Sequence, residues 1–194
     1  MLLRPGESCE GGVLHVTLNR PERRNAYSRE VRDALVGTLD LLRALARDEG
    51  PPGPSGPRYR MVLDGAGPCF CAGGDLAEFG TTPDLVTAHL IRAHAGAAAP
   101  MLELSDRIEV RLHGSCVGAG VELPAFAQRA KAARGTTFRL PEIGMGLIPG
   151  AGGTVSLPRR IGRWRTLYLA VSGVELDLDT ALAWGLIDQI AQPS

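Results

Sequence analysis

Two glutamates, Glu122 and Glu142, stand twenty residues apart in apolar stretches: Val121, Leu123, Ala125 and Phe126 flank the first, and Leu140, Ile143 and Met145 the second. Burial in such surroundings favours the neutral acid, so a protonated and an ionised carboxyl can coexist near neutral pH. Three glycine-rich turns lie close by in the chain: Ala72-Gly73-Gly74-Asp75, Gly118-Ala119-Gly120-Val121-Glu122 and Pro149-Gly150-Ala151-Gly152-Gly153-Thr154. Backbone N–H groups at helix starts are free donors, and small side chains let a ligand oxygen approach them. Paired carboxyls and converging N–H donors are what proton transfer beside a carbonyl requires. A phosphate cradle is the competing use of such turns, but no glycine-rich loop here ends in Lys-Ser or Lys-Thr, and Gly118-Ala119-Gly120 alone is a weak dinucleotide signal.

The elements that position these groups follow from hydrophobic periodicity. Residues 12–19 alternate as a strand that ends at Asn19-Arg20-Pro21. Ser28 can cap a following helix whose Val31, Leu35, Leu39, Leu42 and Ala46 repeat at three to four residues. A link rich in proline at 51–57 precedes a second strand at 59–63, helix-like segments run through 84–99, and a third strand covers 108–112. The spacing then predicts a helix over 118–133, a short strand over 136–140, and late helices over 164–171 and 180–184. Strands separated by helices argue for α/β architecture with crossover connections.

Composition narrows the class. A chain of 194 residues suits one domain, and Lys+Arg and Asp+Glu at 21 each give no net charge that would mark a nucleic-acid partner. No apolar run is long enough to cross a bilayer, and Met1 leads into charged residues without a signal segment, so a cytoplasmic location is expected. Cys69-Phe70-Cys71 is half of a metal hook, but the histidines at 15, 89, 94 and 113 are scattered, and no metal is expected.

Six ordered segments resemble the crotonase (enoyl-CoA hydratase/isomerase) superfamily: Asn19-Arg20-Pro21 through Asn25-Ala26, Phe70 through Leu76, His113-Gly114 through Glu122-Leu123, Pro141-Glu142-Ile143-Gly144, Ile148 through Thr154, and Trp184-Gly185-Leu186-Ile187-Asp188. The resemblance runs from about residue 12 to 188. It implies an α/β fold, a crotonase-like spiral of ββα units in a single domain over 1–194, with the C-terminal helical region truncated. By position it implies backbone N–H groups of Gly74 and Ala119 as the oxyanion hole for a thioester carbonyl, and Glu122 and Glu142 as the acid/base pair. It places Arg23, Arg24, Ala26, Ala72, Asp75, Leu76 and Gly150 where the family contacts CoA or substrate. CoA is then the substrate's handle, with no further cofactor.

The expected reaction is addition of water to a 2-enoyl-CoA, or the reverse. Another crotonase-type outcome (isomerisation, decarboxylation or thioester hydrolysis) and a non-catalytic CoA-binding or assembly subunit are the alternatives. Ala119 stands where glycine is usual, and Pro124 falls just after the start of the helix that carries Glu122. The resemblance implies a trimer or hexamer; this chain ends at Ser194, and weaker self-association is expected, with Trp164, Leu167, Tyr168 and Val171 on a face that needs a cover. Trp164 and Trp184 are read as packing residues, His113 as a turn hydrogen bond, and Arg159, Arg160, Arg163 and Arg165 as a solvated face.

Overall fold

The computed structural model describes residues 3–5, 12–47, 49 and 56–191. Six strands form the larger sheet in the order β1 (Leu3–Pro5), β2 (Val13–Leu18), β3 (Arg60–Gly65), β4 (Ile108–Leu112), β6 (Arg129–Ala132) and β8 (Gln189–Ile190). All neighbours are parallel except β1 against β2. Strands β5 (Ser115–Val117) and β7 (Thr137–Arg139) form a second, parallel pair. Single bridges extend that pair: Tyr27 with Gly74, Cys71 with Cys116, and Phe138 with Leu176.

These pairings define the repeat. Each long strand gives way to a short stretch that pairs in the second layer, and a helix follows. Strand β3 leads to Cys71 and Gly74 and then to α2 (Leu85–Ala95); β4 leads to β5 and α4 (Ala119–Glu122); β6 leads to β7 and then to α5 (Gly153–Ile161). The chain thus winds as a spiral of ββα units. The predicted strands at 12–19, 59–63, 108–112 and 136–140 are all present, within two residues at each end.

Helix α1 (Arg29–Arg47) buries Val31, Leu35, Leu39 and Leu42, the periodic face expected from sequence, and the Ser28 hydroxyl accepts from the Val31 N–H. That face meets Leu14, Val16 and Leu18 of β2, Met61 and Leu63 of β3 and Met101 of α3 (Ala98–Glu103) in one core.

The predicted helix over 118–133 is a correction. Only α4 forms; Pro124 has no N–H to donate back along a continuing helix, a 3-10 turn at Pro124–Phe126 takes over, and Arg129 already pairs in β6. The alternation of Ala130 and Ala132 was hidden by their small side chains. Late in the chain α6 (Arg163–Ser172) and α7 (Leu178–Trp184) match expectation, and α6 leaves Trp164, Leu167, Tyr168 and Val171 exposed. Trp164, at 71% exposure, is therefore not a packing residue, whereas Trp184 meets Tyr168 edge to face at 6.1 Å. Arg160 is not solvated either: it donates to the carbonyls of Ala127 and Leu186 and pairs with Asp188. Among the described residues no helix is long and apolar enough to cross a membrane.

Candidate functional site

The first two glycine-rich turns meet where the bridge between Cys71 and Cys116 hands the chain on. The Val117 N–H donates to the Cys71 carbonyl at 3.0 Å, which sets the turn at Gly73-Gly74 beside the turn at Gly118-Ala119. Gly118 has φ +50°, and a Cβ there would lie 2.4 Å from Glu142 Oε1 and 3.7 Å from Gly73 Cα. Both the conformation and the space therefore demand glycine, and both loops stand within reach of the Glu142 carboxyl.

The Gly74 N–H is aimed by its own peptide unit. The Tyr27 N–H donates to the Gly73 carbonyl at 2.7 Å, and the Tyr27 carbonyl accepts from the Asp75 N–H at 3.2 Å. In a trans peptide the carbonyl and the following N–H point opposite ways, so fixing the Gly73 carbonyl on Tyr27 turns the Gly74 N–H away from it. Ala119 is the first residue of α4, where N–H groups have no partner within the helix. Among the described residues neither the Gly74 nor the Ala119 N–H has a protein acceptor. Ala119 is outside the positive-φ set, so its methyl replaces the usual glycine hydrogen without backbone strain.

Glu122 is 2% exposed. Its Oε2 accepts from the N–H groups of Ala151 and Gly153, both at 2.8 Å, and its carbonyl accepts from the Ser156 hydroxyl. A Cβ on Gly153 would lie 2.6 Å from Glu122 Cγ, so the third glycine-rich turn is a glove for this one side chain. Burial pushes the Glu122 carboxyl up to about 7; the Gly153 N–H opposes this, the charge of Glu142 adds to it, and the Ala151 N–H opposes it again. Glu142 opens a 3-10 turn at Glu142–Met145, and burial raises its carboxyl too. Its Oε2 is buried without a hydrogen-bond partner among the described residues, an arrangement that costs less when the group is neutral.

The residues placed by resemblance on the CoA side gather on two stitched loops. The Ala72 N–H donates to the Arg24 carbonyl, and Asp75 pairs with Arg20 at 3.1 Å, which also donates to the Ala26 carbonyl. The Asp75 carboxyl is held below its ordinary range by the Ala77 N–H and by Arg20, partly offset by burial. Arg23 and Arg24 are exposed with no ion-pair partner among the described residues, and Leu76 is exposed beside them. Gly150 stands apart from this group. It lines a cavity of about 120 Å³ between Tyr27, Ala97 and Ala151, next to the loop that holds Glu122.

Sequence reasoning missed the framework. Asn25 is fully buried: its Oδ1 accepts from the Arg20 N–H, and its Nδ2 donates to the carbonyls of Ala66 and Cys69. It ties 20–28 to 66–69, and its φ of +53° was a signal no sequence pattern carries. Tyr27, Ser156 and the N–H groups of Ala151 and Gly153 were likewise unassigned. Cys71 and Cys116 are buried, and burial pushes Cys71 up to about 12, so both behave as small apolar residues rather than nucleophiles. The His113 Nε2 is 3.0 Å from the Gly67 carbonyl, the turn hydrogen bond expected of it. A larger cavity, about 340 Å³, lies on the outer face of the main sheet between Arg107, Arg111, Arg129 and Lys131, away from the glycine-rich turns.

Comparison with known proteins supplies an independent view. The enoyl-CoA hydratase/isomerase family profile matches residues 8–193. The chain is 36% identical to the enoyl-CoA isomerase/hydratase fer4 of Mycosarcoma maydis, over 99% of this chain and 70% of that protein. It is 34% identical to the 1,2-epoxyphenylacetyl-CoA isomerase of Escherichia coli strain K12, over 93% of this chain and 67% of the relative. Among solved structures, an enoyl-CoA hydratase of Mycobacterium smegmatis superposes with TM-score 0.82 at 30% identity, covering 100% of this chain and 71% of the other. The match to each relative thus spans the spiral and leaves roughly three tenths of the relative's length unmatched.

Proposed function

Because the chain belongs to the enoyl-CoA hydratase/isomerase family, an enzyme family whose substrates are acyl-CoA thioesters, we propose that it adds water across the double bond of a 2-enoyl-CoA, or removes it in reverse. The observation that carries this reading is the meeting of two unspent N–H donors, on Gly74 and Ala119, with two carboxyls raised by burial, on Glu122 and Glu142.

In the forward direction the thioester oxygen accepts from the Gly74 and Ala119 N–H groups. Water oxygen then bonds to the β-carbon as the double-bond electrons move toward the carbonyl. The resulting enolate oxygen is held by the same two donors, each typically worth ~3 kcal/mol in such a role. Glu122, fixed by Ala151 and Gly153, orients water and takes its proton; Glu142 delivers a proton to the α-carbon. The unpartnered Oε2 of Glu142 favours the protonated form that this assignment needs. Arg23, Arg24, Ala26, Ala72, Asp75 and Leu76 carry the CoA portion, with the two free guanidinium groups facing phosphate charge. No cofactor beyond the CoA of the substrate enters the scheme.

The same enolate serves double-bond isomerisation, and the Mycosarcoma maydis relative is named an enoyl-CoA isomerase/hydratase. Two carboxyls rather than one favour hydration here, since hydration needs a base for water and an acid for carbon. Incubation with a panel of short, long, branched and aromatic enoyl-CoA thioesters, with chromatography and mass analysis of products, tests it: a gain of one water supports hydration, a product of unchanged mass that separates from the substrate supports isomerisation, and a panel left unchanged throughout removes both. Weak self-association through the exposed face of α6 belongs to the same reading, and a tight trimer persisting at nanomolar concentration in light scattering would remove it.

A further inference from the structure

The cavity of about 120 Å³ touches both halves of the site: Tyr27, whose backbone brackets Gly74, forms one wall, and Ala151, whose N–H holds Glu122, forms another. A thioester with its oxygen on Gly74 and Ala119 and its β-carbon beside the glutamates has to send the rest of its acyl group past these walls. Ile91, Ala97, Ala98 and Ala151 give the lining an apolar character. Among the described residues one charged side chain interrupts it, that of Arg32.

Helix α1 turns Val31 and Leu35 into the core and carries Arg32 beside Tyr27, whose phenol feels its charge. The Arg32 side chain is only 17% exposed. Its Nε and Nη2 both donate to one oxygen of Asp33, at 2.9 and 2.7 Å, and the Asp33 carboxylate stands 58% exposed on the water side. An ion pair with so exposed a carboxylate contributes little energy, yet it sets the plane of the guanidinium. Nη1 has no acceptor among the described residues. An apolar hollow with one shielded cation and unspent donors fits a ligand with an apolar body and an anionic end, because a charge-assisted hydrogen bond is strongest out of water.

Resting on the acyl-CoA reading above, we propose that Arg32 makes this site selective for short acyl groups that end in a carboxylate. The hollow sets the length: at roughly 30 Å³ for a water-sized group, it holds about four such groups beyond the reacting carbons.

Two pairs of esters differ only by a terminal carboxylate, glutaconyl-CoA against crotonyl-CoA and the unreactive glutaryl-CoA against butyryl-CoA. The expected result is a kcat/KM at least tenfold higher for glutaconyl-CoA, and at least tenfold tighter equilibrium binding of glutaryl-CoA. Arg32→Leu should bring both ratios to one or below, and Arg32→Lys should keep part of the preference. A wild-type preference for the neutral member of either pair, or ratios unchanged in Arg32→Leu, overturns the proposal. Should Arg32→Leu fail to fold, Arg32→Gln and the wild-type comparison decide in its place. If neither enoyl ester turns over while the glutaryl-CoA preference and its dependence on Arg32 remain, the hydration reading falls and the role of Arg32 stands.

Discussion

Glu122 shows how a carboxyl is tuned without a cation. Its Oε2 takes two backbone N–H groups, which favour the ionised form, yet burial outweighs them and the group is pushed up to about 7. Glu142 is raised as well but has an oxygen with no donor among the described residues. The two environments differ in hydrogen bonding, and the proposed mechanism rests on this difference for its choice of Glu122 as the base for water and Glu142 as the acid for carbon. Glu122→Gln keeps an oxygen to accept from Ala151 and Gly153, so the loop is expected to hold while turnover of crotonyl-CoA falls ~10²–10⁴-fold. Glu142→Gln should fall by a similar factor, and calorimetric binding of butyryl-CoA should stay near wild type in both. The wild-type rate should also change with pH near 7, and Glu122→Gln should lose that limb. Near-normal rates in both variants would dismiss the two-carboxyl mechanism.

At the scale of elements the question is what aims the N–H donors. Gly74→Pro removes one donor and also restricts φ, while leaving in place the Tyr27 and Asp75 N–H groups that hydrogen-bond on either side of it. A Cβ on Gly74 would meet the Phe79 ring at 2.9 Å, and Gly74→Ala, which keeps the N–H, controls for that contact. We expect turnover to drop at least a hundredfold in the proline variant and far less in the alanine variant; equal losses would place the carbonyl elsewhere. Asn25→Ala tests the stitching from the other side. It strands the buried carbonyl of Cys69 and the half-buried carbonyl of Ala66, and a loss of a few kcal/mol in urea unfolding is expected. Elements of this kind were only half legible in the sequence. Periodicity marked α1 and β4 because Val31, Leu35, Ile108 and Val110 are large and regularly spaced. It failed at 118–133, where Pro124 and a run of alanines let a strand pass for helix, and it missed α5, whose start at Gly153 carries no polar cap. The glutamates and glycine turns were legible as residue types, but their convergence depends on the second sheet layer, built from three-residue strands and single bridges too short to leave a pattern.

The whole molecule bears the cost of these buried carboxyls, and its stability should therefore depend on pH in a particular direction. For Glu122 the folded value, about 7, lies above the ordinary 4.5, and Glu142 is displaced the same way. Between these limits the folded state binds more protons than the unfolded chain, so folding stability falls as pH rises through the window. For Glu122 alone the full effect is about 3 kcal/mol, at 1.36 kcal/mol per unit of displacement. The capping carboxylates act oppositely. Asp84 and Asp177 accept from the N–H groups of Thr87 and Thr180, which hold them below 3.8, so what they contribute is present above that value and lost as acid is added. Together these groups place the expected maximum of stability near pH 4.5, above the range of the caps and at the lower edge of the window set by Glu122. Urea midpoints for the wild type should accordingly decline from pH 5 to pH 8, and Glu122→Gln, which has no proton to lose, should show a shallower decline and exceed the wild type at pH 8. Parallel declines in the two proteins would mean that Glu122 is already ionised at low pH, and its assignment as a carboxyl poised near neutrality would be lost.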